Sequence, residues 1–141
     1  MIVLDTNVVS DTQKTDFNLN VRQWIRRQGI DDIYLCTPVA AELSYGARRV
    51  LLRDQSDRYL RALDSQIESR FAGRILSFDL IAARHYGAIR ATAEQNGSPR
   101  TDVDGMIAAI CLTHGAVLAT RNTRDFEGLG LELINPFEPT D

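Results

Sequence analysis

Short apolar runs alternate along this chain with longer stretches whose apolar residues recur at helical spacing. Continuous apolar character over so few residues is typical of strands that are buried on both faces of a parallel sheet. The candidate strands lie at residues 2–4, 33–36, 74–78, 116–119 and 131–134. The alternation therefore predicts a single α/β domain over residues 1–141, built around a mainly parallel sheet of about five strands.

Helical periodicity and capping residues predict where the helices lie. Thr37 and Pro38 begin a helix directly after a strand, while Asp79 and Asp102 are predicted to cap the last two helices. The segment after the first strand and the polar residues 120–126 are predicted to be turns. The predicted helices cover residues 17–29, 37–45, 54–71, 79–97 and 102–115.

Charge and cysteine usage exclude several classes of protein. The net charge is −3, so bulk charge does not attract nucleic acid and any such contact needs a local basic patch. Lys14 is the only lysine, which excludes a P-loop, a pyridoxal Schiff base and a receiver-type phosphorylation site. Cys36 and Cys111 form no CxxC pair, and no apolar run reaches membrane length. We expect a cytoplasmic protein that does not contact a membrane.

Four acidic residues follow strands or begin helices. Asp5 ends the first strand, Glu42 lies early in the helix after the second, Asp104 lies in a first helical turn, and Asp125 follows a strand through a short turn. Ligands of open parallel sheets bind at the carboxyl ends of the strands, where all four acids can converge. Each acid also has a structural alternative, as a cap, an exposed helix residue or a turn residue. For Asp5 we favour function, because a buried acid costs desolvation.

Carboxylates gathered in one pocket cannot all stay ionised without a counter-charge. A hard divalent cation supplies that charge, and Mg²⁺ prefers oxygen ligands, retains several waters and is held by one or two carboxylates. The same cation lowers the pKa of water and shields phosphate, as phosphodiester hydrolysis requires. The pattern of acids therefore predicts a metal-dependent phosphodiesterase.

Four motifs, in this order, resemble those of the PIN domain, specifically of the VapC and FitB-like toxins of type II toxin–antitoxin pairs. They are L-D-T-N at Asp5, T-P-V-A-A-E at Glu42, D-G-M-I-A-A-I at Asp104 and A-T-R-N-T-R-D-F at Asp125. The resemblance implies a three-layer α/β/α fold and an endoribonuclease that uses Mg²⁺ or Mn²⁺. It also implies a homodimer and a cognate VapB/FitA-like antitoxin, which blocks the site and through which operator DNA is bound.

The resemblance also implies roles for single residues. Asp5 and Asp104 match the metal ligands, and Glu42 matches a further catalytic acid. Many relatives have aspartate where this chain has Asn122, so the fourth catalytic acid is Asp125 or is missing. The supporting polar residues are Thr6, Asn7, Thr120 and Asn122.

An acidic pocket repels an anionic strand, so a basic rim is expected around it. Arg100, Arg121 and Arg124 flank the two C-terminal acids and are predicted to bind RNA, with surface salt bridging as an equally good interpretation. Apolar positions on the middle helices are expected to form dimer and antitoxin surfaces. Two other functions stay open: a small-molecule phosphohydrolase, and a non-catalytic binding module whose acids receive an antitoxin arginine.

Overall fold

A parallel five-stranded sheet forms the centre of the protein, as the apolar runs predicted. A computed structural model describes residues 1–98 and 101–139. The strand order is β3-β2-β1-β4-β5, and every neighbouring pair is parallel. The strands are β1 (Ile2–Leu4), β2 (Ile33–Cys36), β3 (Ile75–Leu76), β4 (Val117–Ala119) and β5 (Leu133–Ile134).

The order of the strands reverses at β1, which lies between β2 and β4. Ile2 pairs with Ile33 on one side and with Val117 on the other. The backbone N–H of Asp5 still donates to the carbonyl of Ala119, at 2.9 Å, so the pairing continues past the end of the strand. Crevices at such a reversal are where open α/β sheets bind ligands.

Six α-helices surround the sheet in the described part of the chain. Two short 3₁₀ helices, Ile30–Asp32 and Thr123–Phe126, and a π-helical turn, Gln66–Arg70, complete the regular structure there. The α-helices are α1 (Thr6–Thr12), α2 (Leu19–Arg27), α3 (Thr37–Asp54), α4 (Arg58–Ser65), α5 (Leu80–Gln95) and α6 (Asp102–His114).

Several predicted boundaries were wrong, each for a local reason. The turn expected after β1 is helix α1, which at seven residues is too short to show a clear apolar period. The predicted helix 54–71 begins only at Arg58, because α3 continues to Asp54 and Gln55 then adopts a left-handed φ of 56°. The strand predicted at 74–78 is two residues long.

The cap of α6 was also assigned one residue too late. Thr101, not Asp102, is the N-cap, and its hydroxyl oxygen accepts from the backbone N–H of Asp104 at 3.2 Å. Residues 120–126, predicted as a turn, contain the 3₁₀ helix Thr123–Phe126. That segment is held to the domain by Phe126, whose side chain is 1% exposed.

The two cysteines lie in the core. Cys36 and Cys111 are both buried free thiols. Burial raises the pKa of the Cys36 thiol to about 12 and also raises the pKa of Cys111, which disfavours the reactive thiolate form of both. None of the helices described is both long enough and apolar enough to span a bilayer.

Truncation of Phe126 tests how firmly the segment Thr123–Phe126 is anchored. We expect Phe126→Ala to lower the free energy of unfolding by about 3–5 kcal/mol, since the side chain is large and fully enclosed. Leu52→Ala is the matched control because Leu52 is 78% exposed, and its cost is expected within about 0.5 kcal/mol. Urea unfolding of both variants gives the comparison, and equal costs would refute the anchoring role.

Candidate functional site

Asp5 is a buried carboxylate at the carboxyl end of the central strand. Its side chain is 5% exposed, and it caps α1 by accepting from the backbone N–H of Thr6 at 2.8 Å. The other carboxylate oxygen accepts from the Thr120 hydroxyl at 2.7 Å and from the Asn7 amide at 3.4 Å. The capping role considered from the sequence therefore holds, and it accounts for only one of the two oxygens.

Hydrogen bonds connect the chain after β1 to the chain after β4. The Thr120 hydroxyl oxygen, besides donating to Asp5, accepts from the backbone N–H of Asn122 at 3.0 Å. The Asn7 side-chain oxygen accepts from the backbone N–H of Arg121 at 3.2 Å. Asn7 and Thr120 thus fix the position of the Asp5 carboxylate relative to both segments.

Thr6 connects Asp5 to a second acid. Its backbone N–H donates to Asp5, while its hydroxyl donates to a carboxylate oxygen of Glu42 at 2.5 Å. Glu42 lies on α3, which begins directly at the end of β2, and its side chain faces solvent. Two of the four predicted acids, Asp5 and Glu42, therefore accept hydrogen bonds from the same residue, Thr6.

The charge of Asp5 is only partly compensated. Burial raises the pKa of the Asp5 carboxyl above its ordinary value of 3.8, and the negative charge of Glu42 raises it further. Hydrogen bonds from Thr120, Thr6 and Asn7 act in the opposite direction without cancelling this effect. Within the described residues no arginine, lysine or histidine forms an ion pair with Asp5.

Asp104 lies in the first turn of α6 and is half-buried. Gly115, with φ of 61°, turns the end of α6 directly into β4, so the helix runs antiparallel to that strand and begins at the carboxyl edge of the sheet. Cys111 lies seven residues after Asp104, on the same helical face, and its side chain is fully buried in the core. The face of α6 that carries Asp104 is therefore the face that packs against the domain.

Asp125 is more exposed to solvent than Asp5 and Asp104. Asp125 is exposed in the 3₁₀ helix that packs against α6, and Asn122, Arg121 and Arg124 are exposed in the same region. Arg100, also predicted to bind RNA, lies outside the described residues.

The side-chain groups at this site that could ligate a cation are all oxygens: the carboxylates of Asp5 and Glu42 and the hydroxyls of Thr6 and Thr120. Residues 1–98 and 101–139 contain no group of three or more histidine, cysteine, aspartate or glutamate side chains arranged to hold a metal ion. Mg²⁺ retains several waters and needs only one or two carboxylates, so the residues present fit this cation.

No pattern in the sequence indicates the groove that starts at this site. An open groove of about 600 Å³ extends from Thr6 and Glu42 between α1, α3 and α4, and Tyr45 and Tyr59 line it. Tyr59 is 37% exposed and presents part of its ring to this groove. The sequence could not reveal this, because the groove depends on how α3 and α4 pack and not on a local pattern.

Comparisons with known proteins agree over nearly the whole chain. The family model of the PIN domain matches residues 2–130. The chain is 40% identical over 139 residues to VapC ribonuclease Y4jK of Sinorhizobium fredii, covering 99% of each protein. It is 35% identical over 137 residues to the toxin FitB of Neisseria gonorrhoeae, covering 97% of this chain and 99% of that protein. In the structure of FitAB bound to an IR36 DNA fragment, one chain superimposes with a TM-score of 0.88 at 32% identity, covering 100% of this chain and 99% of that chain.

Neutralising Asp5 is expected to stabilise the metal-free protein. Because the native pKa is raised, the stability contributed by the protonated form is fully present below the ordinary pKa and is lost as pH rises through the native pKa. Asp5→Asn should therefore raise the Tm in EDTA at about pH 7, and its advantage should shrink as pH falls toward about 4.

The control for this measurement is Asp64→Asn, because Asp64 is exposed on α4. Its Tm should follow that of the wild type across the same pH range. A Tm for Asp5→Asn at or below the wild-type value at neutral pH would show that the ionised carboxylate is well compensated.

Proposed function

The chain belongs to the PIN domain family, and we propose that it is a Mg²⁺-dependent endoribonuclease, the toxin of a type II toxin–antitoxin pair. The observation that carries this proposal is a buried carboxylate, Asp5, which has no cationic partner among the described residues and shares Thr6 with Glu42. The similarity to a VapC ribonuclease and to the toxin FitB supports the same activity.

Asp5 and Asp104 are the residues that would hold Mg²⁺, or Mn²⁺ in its place. When bound, the cation supplies the positive charge that shields the phosphodiester and acidifies water. Asn7 and Thr120 keep the Asp5 carboxylate oriented through their hydrogen bonds. A fixed carboxylate needs no reorganisation when charge develops during the reaction.

Glu42 and Asp125 would orient the water that attacks phosphorus. The hydroxyl of Thr6 donates to Glu42, which fixes one carboxylate oxygen and leaves the other for water. Attack forms a new phosphorus–oxygen bond opposite the bond that breaks, and the two RNA ends then separate. Asn122, an uncharged amide, can position water but adds no negative charge.

Basic residues at the rim would attract the RNA that the acids repel. Arg121 and Arg124 are exposed beside the segment that carries Thr120, and Arg100 is a further candidate from the sequence. Each contact between an arginine and a phosphate contributes to affinity in a salt-dependent way.

The same proposal includes protein partners. FitAB is bound to DNA in the structure that superimposes on this chain, which supports a cognate VapB/FitA-like antitoxin through which this toxin would bind operator DNA. Exposed apolar side chains at Leu80 and Ile81 support a homodimer. An RNA substrate and two free thiols fit a cytoplasmic location.

A non-catalytic binding module is the second candidate. It is favoured by Asn122, in a position where many relatives have an acid, and by the lack of a three-acid metal cluster in the described parts of the chain. In this alternative the acids would bind an arginine of the antitoxin, and Mg²⁺ would not be needed.

Cleavage assays on purified protein test the nuclease. We expect wild type to cut RNA in Mg²⁺ and to lose activity in EDTA, and Asp5→Asn and Asp104→Asn to lower the rate by about 100-fold or more. Asp64→Asn should cleave at the wild-type rate. Because Asp5→Asn is expected to be at least as stable as wild type, its loss of activity cannot be attributed to unfolding. Cleavage by Asp5→Asn at the wild-type rate would exclude the proposed metal site.

Thermal denaturation with metal separates the two candidate functions. At a Mg²⁺ or Mn²⁺ concentration about 100 times the Kd, binding to the native state adds about 2.7 kcal/mol of stability. A nuclease should show a Tm that rises with metal in the wild type and much less in Asp5→Asn. A binding module should show no rise in either protein.

A further inference from the structure

The guanidinium group of Arg121 stacks on the aromatic ring of Phe137. Its guanidinium carbon is 4.0 Å from the centre of the Phe137 ring, the shortest cation–ring distance in the parts of the chain that the structure describes. The two residues are sixteen apart, and Phe137 is half-buried against the core. The ring therefore provides a rigid surface beneath a side chain that is otherwise exposed.

The backbone around this pair is fixed as well. The Arg121 carbonyl accepts from the Asn135 amide at 3.4 Å, and its N–H donates to Asn7. Phe137 donates its own N–H to Asn135 at 2.9 Å, and its carbonyl accepts from the Asn20 amide at 2.9 Å. Both ends of the stacked pair are thus held before any ligand arrives.

The charge of Arg121 is not neutralised by an acid. No ion pair involves Arg121 in residues 1–98 and 101–139, whereas Arg61 pairs with Asp57 at 3.1 Å. A ring under the guanidinium occupies its face and leaves the N–H groups at its edge able to donate to phosphate. The charge and the donors of Arg121 therefore stay available to a ligand.

The position of Arg121 connects it to the proposed site. The preceding residue, Thr120, is fully buried and donates to Asp5 at 2.7 Å. Arg121 therefore follows directly in the chain after a residue that contacts the carboxylate of the proposed site. Stacking on Phe137 offers the guanidinium a favourable position.

Resting on the proposed ribonuclease function, we propose that Phe137 is a positioning residue that holds Arg121 to bind a phosphate of the RNA strand beside the cleaved bond. Arg121 contacts substrate, and Phe137 acts only through Arg121. The pair thus contributes to substrate affinity more than to the chemical step.

A double-mutant cycle tests this pairing. We expect Arg121→Ala to raise KM for a single-stranded RNA about tenfold and Phe137→Leu to raise it about three- to fivefold, each with kcat changed by less than about twofold. The double variant should match Arg121→Ala alone, since Phe137 has nothing left to position. Phe137→Tyr keeps an aromatic ring beneath Arg121, so its KM should equal that of the wild type.

Binding of the same RNA in EDTA tests the contact without catalysis. The slope of log K against log salt should fall by about 0.7 in Arg121→Ala, the contribution of one phosphate on a single strand. Arg61→Ala removes an equal charge from α4, and its slope should equal that of the wild type.

Three results would overturn the inference. They are a Phe137→Leu effect that persists in the Arg121→Ala background, a salt slope unchanged by Arg121→Ala, and no RNA binding by the wild type. Failure of the proposed ribonuclease function would give a different result: the wild type would bind RNA in EDTA with the predicted salt slopes but would not cleave it in Mg²⁺.

Discussion

The arrangement of the proposed site depends on a carboxylate buried where the central strand ends. Asp5 is 5% exposed, and its hydrogen bonds from Thr6, Asn7 and Thr120 offset only part of the cost of burying its charge. Such a group is unfavourable for stability on its own, since burial favours the uncharged form. A hard cation would offset that cost, which connects an unfavourable feature of the fold to its proposed chemistry.

The topology explains how residues from distant parts of the sequence reach this carboxylate. The strand order reverses at β1, so the segments after β1, β2 and β4 meet at one edge of the sheet. These segments carry Asp5, Glu42 and Thr120, and α6 begins at the same edge with Asp104. The stacked pair of Arg121 and Phe137 lies beside them and adds positive charge at a fixed position.

The sheet was predictable because a short, continuous apolar run is typical of a strand buried on both faces. The proximity of Asp5 and Glu42 was predictable because the carboxyl ends of parallel strands meet at the same edge of a sheet. Helix α1 was missed because its seven residues show no clear apolar period. Thr101 was not recognised as the N-cap of α6 because the next residue, an aspartate, is also a good N-cap. The ring under Arg121 could not be foreseen, since it depends on how the chain after β5 folds back. The roles of Asp104 and Asp125 stay predictions.

The most direct test of the account is the titration of the Asp5 side-chain carboxyl carbon by NMR, with and without Mg²⁺. Without metal the pKa of Asp5 should lie above the ordinary 3.8, because burial disfavours the ionised form. Saturating Mg²⁺ should lower the pKa below that value, since the cation binds only the carboxylate. A titration curve that Mg²⁺ does not move would contradict the central claim that this buried acid is a metal ligand.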